Sequence, residues 1–440
     1  MNVSHIPMLA SLFLRHYGNQ WMDDAELRED QLRRLRRILE HAFTHVPFYR
    51  EMAAERGLSP ERIHSLEDLP LLPVITRETV QKNHHLLLSE EGDRARWFRS
   101  KSSGSTGEPL EVAFDPPCWI ASRYVLKWRS LLATGFPPFG KVVVIRAVEP
   151  NLLEDKWKQL RLPLEDWLKR RCYLSTFDPP EMHLEFYRRF RPGAIHGPPS
   201  YFLGLADALH RRPGASLKVP RILCTTELLD SRSRRFISEA FDAEVFDIYG
   251  SSEFKDVAWE CPVHEGYHIN ADNVIVEVVQ DGAPVPPGTE GDIVLTTLSN
   301  RAMPLIRYRV GDRGVLSEDR CSCGRTLPLM KCIEGRIVDY IHSPGGRKTS
   351  PYQLVNRLEE IPEVRRFQIH QQEDYSLHIN LVVSRRDGDL VSAKVEQILS
   401  EVVGAALPIR THVVDSIRTP PGRKFRLVLS DVSEEKTDRP

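Results

Sequence analysis

The sequence predicts an α/β protein in two parts: a large N-terminal domain with parallel α/β sheets and an antiparallel β region, then a small α+β domain. Three observations predict it. Between Lys141 and Ile248 short apolar runs alternate with helical patterns, as strands and crossover helices of a parallel sheet do. From Asn273 to Thr297 two apolar or alternating runs flank a stretch rich in turn residues (Gly282, Pro284, Pro286, Pro287 and Gly288), which reads as antiparallel structure. Past Glu334-Gly335-Arg336 two strand patterns precede one helical pattern, so the boundary is placed to give domains 1–335 and 336–440. A chain of 440 residues exceeds what one hydrophobic core supports, which agrees with two domains.

The elements follow in order. Leu32, Leu35, Ile38, Leu39, Phe43 and Val46 recur at helical spacing, predicting an amphipathic helix that ends near Pro47. Arg33, Arg34, Arg36 and Arg37 lie between them and read as its solvated face, with a specific anion-binding role as the alternative. Val142–Ile145 reads as a buried strand, Pro179–Phe190 as a helix and Ala194–His196 as a strand. Tyr201–His210 is helical, Arg221–Cys224 a strand, Ser231–Phe241 helical and Val245–Ile248 a strand. Asn273–Val279 and Asp292–Thr297 are the antiparallel pair. The small domain holds strands at Val364–Gln371, Leu377–Val383 and His412–Val414, with a helix over Leu390–Val403. Glu434–Pro440 reads as a disordered tail.

Composition narrows the function. Lys and Arg number 60 against 61 Asp and Glu, so the net charge of −1 gives no global attraction to nucleic acid or anionic membrane. No run of eighteen apolar residues predicts a membrane span, and Met1–His5 does not begin a secretory signal. Seven cysteines, unevenly spread, suit a cytoplasmic protein with a metal site better than a disulfide framework.

Three clusters carry chemistry. Ser102-Ser103-Gly104-Ser105-Thr106-Gly107 packs hydroxyls between glycines, a composition that lets backbone N–H groups and hydroxyls wrap phosphate; a flexible linker is the plain alternative. Tyr249-Gly250-Ser251-Ser252-Glu253 follows a predicted strand, where α/β folds place ligands. There Tyr249 offers a ring to a base and Glu253 an oxygen to Mg²⁺. In Ile306–Asp312 a glycine turn puts the Asp312 carboxylate within reach of ribose hydroxyls. A fourth constellation is Cys261-Pro-Val-His264 with His268, and Cys321-Ser-Cys323. Two short clips across a long loop suit a structural Zn²⁺, with His264 or His268 as the fourth ligand. Cys332, Cys118, Cys172 and Cys224 read as small buried apolar residues.

Taken in order, these clusters resemble the adenylate-forming superfamily of acyl-CoA synthetases, peptide-synthetase adenylation domains and luciferase. The branch most similar is that of phenylacetate–CoA ligase and its capsule-biosynthesis relatives. The likeness also uses His45–Arg50, His196–Ser200, Thr225-Thr226-Glu227, Glu334–Arg336 and Gly422–Arg426. It implies activation of a carboxylic acid with ATP to an acyl-adenylate, pyrophosphate release, and transfer to coenzyme A with AMP release. It implies nucleotide contacts at Ser102–Gly107, Glu227 and Tyr249–Ser252, ribose at Asp312, and Mg²⁺ at Glu253. Arg336 would touch the nucleotide from the junction, and Lys424, on a mobile small domain, would bridge carboxylate and α-phosphate. Arg423 is the rival for that role, since the family usually has glycine there. Tyr124, Pro199, Tyr201 and Thr226 would face the acid, with core packing the plainer reading of the aromatics. Transfer to an amine, a sugar or a carrier-protein thiol is the alternative, and a silent binding protein a lesser one. The acid, a possible homodimer and the pathway are not legible.

Overall fold

The computed structural model describes residues 6–101, 110–138, 140–146, 170–176, 178, 180–210, 216–334, 341–344, 348–349, 354, 357–358, 361–383, 388–404, 407–415, 417 and 428–432. The chain divides into two compact units, each of two stretches: Met1–Gly140 with Phe246–Ile333, and Lys141–Val245 with Glu334–Pro440. No helix among the described residues is long and apolar enough to cross a membrane.

In the first unit, helix Asp24–His45 starts where Asp23 accepts from the Glu26 N–H at 2.8 Å, an N-cap that occupies one of the orphan donors of the first turn. Leu27, Leu35, Ile38, Leu39 and Ala42 are its buried stripe, and Pro47 opens the next helix, Pro47–Arg56. The helix begins eight residues before the apolar pattern that betrayed it, because its first turns are mostly charged. Helix Ile6–Gly18 was not anticipated.

The sheet of this unit runs, by neighbours, Ala283–Pro284, Val274–Gln280, Glu290–Thr297, Tyr308–Leu316, Leu329–Glu334, Tyr267–Ile269, Lys255–Glu260 and Glu244–Ser251. The two anticipated strands pair antiparallel, Val276 opposite Leu295. One expectation is corrected: Ile306–Asp312 is not a glycine turn but enters the strand Tyr308–Leu316. Gly311 takes φ +91° inside that strand, and a register shift opposite Asp292 and Val294 absorbs the irregularity.

In the second unit, Val142–Arg146 lies between Arg171–Ser175 and Ala194–Gly197, and Arg221–Thr225 pairs with Ala194–Gly197, all parallel. Val142, Val143, Val144 and Ile145 are all buried, as a strand covered on both faces must be. Helices Pro180–Phe190, Pro199–His210 and Ser231–Phe241 pack on this sheet through Leu184, Phe202, Leu205, Ile237 and Phe241. The C-terminal stretch has its own core on the sheet Ile409–Val413, Leu377–Val383, Val364–Gln371, Val428–Ser430, against helix Gly388–Val403. Ile409–Val413 starts three residues before its apolar signal because it is a half-exposed edge strand.

Candidate active site

The site is built around the turn between strands Glu244–Ser251 and Lys255–Glu260 in the first unit. A Cβ on Gly250 would lie 2.2 Å from the Lys255 carbonyl oxygen, so only glycine allows this closure. Ser251 Oγ accepts from the Phe254 N–H at 3.1 Å, and Lys255 takes φ +65°, a conformation uncommon for a residue with a side chain. The tight turn buries Glu253, which is 6% exposed. Its Oε1 accepts from Tyr308 OH at 3.3 Å and lies 3.7 Å from Arg77 Nη1. Its Oε2 has no hydrogen bond among the described residues, which leaves a hard oxygen donor for a divalent cation.

Tyr249, at the end of the same strand, donates its hydroxyl to Asp312 Oδ2 at 2.9 Å. The ring assigned to a base and the carboxylate assigned to a ribose are therefore neighbours. Their sequence separation of 63 residues hid this.

Two charged residues near Glu253 carried no sequence signal. Arg77 opens a short helix, Arg77–Lys82, far away in sequence. Lys255 donates to Ser100 Oγ and, at 3.0 Å, to the Ser252 carbonyl, and its ammonium lies 5.0 and 5.3 Å from the Phe114 and Trp119 ring centroids. Burial, with help from the nearby Arg123 charge, brings its pKa down to about 8. The motif had stopped at Glu253, although Lys255 is only two residues on.

In the second unit, Glu227 accepts from Ser200 N–H and Ser200 Oγ, both at 2.9 Å. That carboxylate sits at the start of helix Pro199–His210, where the helix dipole favours it. Pro199 is buried at the first turn, and Thr226 is exposed with φ +73°. Tyr201 OH lies 2.7 Å from His183 Nδ1 and 2.6 Å from Tyr187 OH. Burial, and then Tyr187, hold its pKa well above the phenol range, so the hydroxyl stays protonated. Tyr124 is half-buried on one turn of π-helix, Ala121–Val125, in the first unit. Ser102–Gly107, Arg336, Arg423 and Lys424 lie outside the described residues, as does the Cys332 side chain.

The cysteine clips do meet. Cys261, His268, Cys321 and Cys323 place their ligand atoms within 4.8 Å of one another. Cys261 Sγ lies 3.5 Å from Cys321 Sγ, and Cys323 Sγ 3.4 Å from His268 Nε2. A tetrahedron with Zn–S arms of 2.3 Å has edges of about 3.8 Å, so the separations fit. Burial, then Arg325, lowers the His268 pKa to about 4, which keeps the imidazole neutral as a ligand must be. His264 is not in the group; it stacks on Phe246 and lies 3.5 Å from Glu260. Cys118, Cys172 and Cys224 are buried, as read from the sequence.

No known family profile matches the chain. The phenylacetate–coenzyme A ligase of Thermus thermophilus is 31% identical over 394 residues, covering 86% of this chain and 82% of that protein. The Escherichia coli phenylacetate–coenzyme A ligase is 28% identical over 396 residues, covering 84% and 82%. Among solved structures, a 2-hydroxyisobutyryl-CoA ligase in its postadenylation state superposes with a TM-score of 0.77 at 19% identity, over 95% of this chain and 92% of that one. That likeness establishes a shared fold.

Proposed function

Because the chain belongs to the phenylacetate–coenzyme A ligase family of AMP-forming ligases, we propose that it activates an aryl or arylacetic acid and delivers the acyl group to coenzyme A in the cytoplasm. Carboxylates resist attack by thiols, so the first half-reaction must improve the leaving group. A carboxylate oxygen bonds to the α-phosphorus of ATP and pyrophosphate leaves. The thiol then attacks the acyl carbon and AMP departs.

Both partners of the first step are anions, so the barrier is electrostatic. Glu253 would hold Mg²⁺ through its free oxygen, and the bound ion would neutralise polyphosphate charge. Tyr249 and Asp312 would take the adenosine, with Gly250, Ser251 and Ser252 beside it. Ser102–Gly107 would wrap the β- and γ-phosphates, and Glu227 and Arg336 would complete the nucleotide contacts. Lys424 would join the substrate carboxylate to the α-phosphate from a small domain beginning at residue 336 that turns between half-reactions. Cys261, His268, Cys321 and Cys323 would hold a structural Zn²⁺ with no open position for chemistry.

The observation that carries this reading is the pairing of Tyr249 with Asp312, one turn from a buried Glu253 whose Oε2 is free. The test is carboxylate-dependent exchange of pyrophosphate into ATP across a library of acids. An arylacetic acid should give the fastest exchange, and Lys424→Ala should slow it by about 100-fold or more. Wild-type exchange in a folded Lys424→Ala variant would sink the mechanism. Product formed with an amine panel but not with coenzyme A would replace the acceptor.

A further inference from the structure

The first unit holds a cavity of about 560 Å³ that none of Tyr249–Glu253 lines. Its wall is formed by helices Ile6–Gly18 and Asp24–His45, the segment Pro117–Ala121 and the turn Leu298–Arg301. Arg15, Arg34, Arg37 and Arg301 stand on it against a single carboxylate, Glu40. The size falls within the range of small-molecule sites, roughly 300–1,000 Å³.

The arginines are not equally committed. Arg301 is held by Glu91 at 3.0 Å and His41 at 3.2 Å. Arg34 is 8% exposed; its Nη1 donates to the Asp272 carbonyl at 2.9 Å and its Nε faces Asp30 at 2.7 Å. Its Nη2 is buried with no hydrogen-bond partner among the described residues. Buried donors are rarely left so, because each costs the full desolvation of the group. Arg15 and Arg37 make no ion pair or hydrogen bond among the described residues. The tract read as a solvated face, with anion binding as the alternative, thus turns two of its members, Arg34 and Arg37, into a concave wall.

We propose that this cavity binds a small organic phosphate. The guanidinium-bearing residues Arg15, Arg34, Arg37 and Arg301 that line it suit an oxyanion with several charged oxygens. Leu12, Ile38, Ala121 and Leu298 give the same cavity an apolar side, which takes the body of the ligand.

Calorimetric titration of the full chain with phenyl phosphate, beside inorganic phosphate, tests the assignment. Phenyl phosphate should bind saturably, more tightly than inorganic phosphate. Affinity should fall about tenfold or more in the double variant Arg15→Gln/Arg37→Gln, whose side chains are exposed. Pyrophosphate exchange should be unchanged in that variant. Glu253→Gln should keep the affinity. No saturable binding, or equal binding by the double variant, overturns the site. Equal affinity for inorganic phosphate overturns its apolar half. Binding that persists in a chain without exchange activity would refute the functional reading alone.

Discussion

Asp272 shows how much one buried residue can organise. It is fully buried and accepts from Arg129 Nη1 at 3.0 Å and Nη2 at 2.9 Å, with His16 Nδ1 at 2.6 Å and Asn19 at 3.1 Å. Burial alone would raise its pKa, but Arg129 and His16 outweigh it and hold the carboxyl well below the usual range. Because the folded pKa lies under the unfolded one, its stabilisation is present above pH 4 or so and is lost as pH falls further. Asp272→Asn strands the wholly buried Arg129 and should cost about 3–5 kcal/mol in urea unfolding near neutrality. The gap between the two proteins should narrow below pH 4. A gap independent of pH would show that the charge is not what Asp272 contributes. None of this was legible in the sequence. His268-Ile269-Asn270-Ala271-Asp272 has the His-x-x-x-Asp spacing of some acyltransferases, yet His268 joins the cysteines and Asp272 joins Arg129, on separate networks.

Elements were legible where one face is apolar and opaque where backbone geometry decides. Val142–Ile145 is an unbroken Val and Ile run and Arg221–Thr225 centres on Ile222 and Leu223, so their signal survives without any tertiary knowledge, whereas Arg171–Ser175, with only Leu174 among Val, Ile and Leu, was missed. The turn after Tyr249 is different. Its motif could be read, but not the contact between Gly250 and the Lys255 carbonyl, nor the approach of Arg77 and Tyr308 to Glu253. Gly250→Ala should therefore push the turn open and shift Tyr249 and Glu253 together, slowing pyrophosphate exchange about 100-fold with little change in melting temperature. Normal exchange would mean the turn yields without moving the site. The cysteine clips make the complementary case. Their spacing suggested a metal site, and tertiary structure alone groups His268, not His264, with the three cysteines. Protein purified without chelator should contain one zinc per chain, and Cys321→Ser should lose it together with thermal stability. Full metal content in Cys321→Ser would refute the ligand set.

At the scale of the molecule the chain passes between compact units at Gly140, Val245 and Ile333. Sequence patterning placed a single boundary, after residue 335, and none at Gly140 or Val245. Strand and helix signals run on through Lys141 and Val245 without a linker, so nothing local marks them. The core of Val143–Val245 and the core of Ile341–Val428 share no residue, although both belong to the second unit. Among the described residues two polar contacts run between them: Arg232 donates to the Ile361 carbonyl and Arg366 faces Asp207 at 3.7 Å. Two polar contacts of this kind contribute little compared with the apolar burial within each core. A chain ending at Ile333 should consequently stay soluble, melt cooperatively, keep its zinc and retain the acid-sensitive stability that Asp272 confers. It should have no pyrophosphate exchange, since Arg336 and Lys424 are gone. Aggregation of that shortened chain would show that the parallel sheet needs the C-terminal stretch to fold, and undiminished exchange would remove Lys424 from the chemistry.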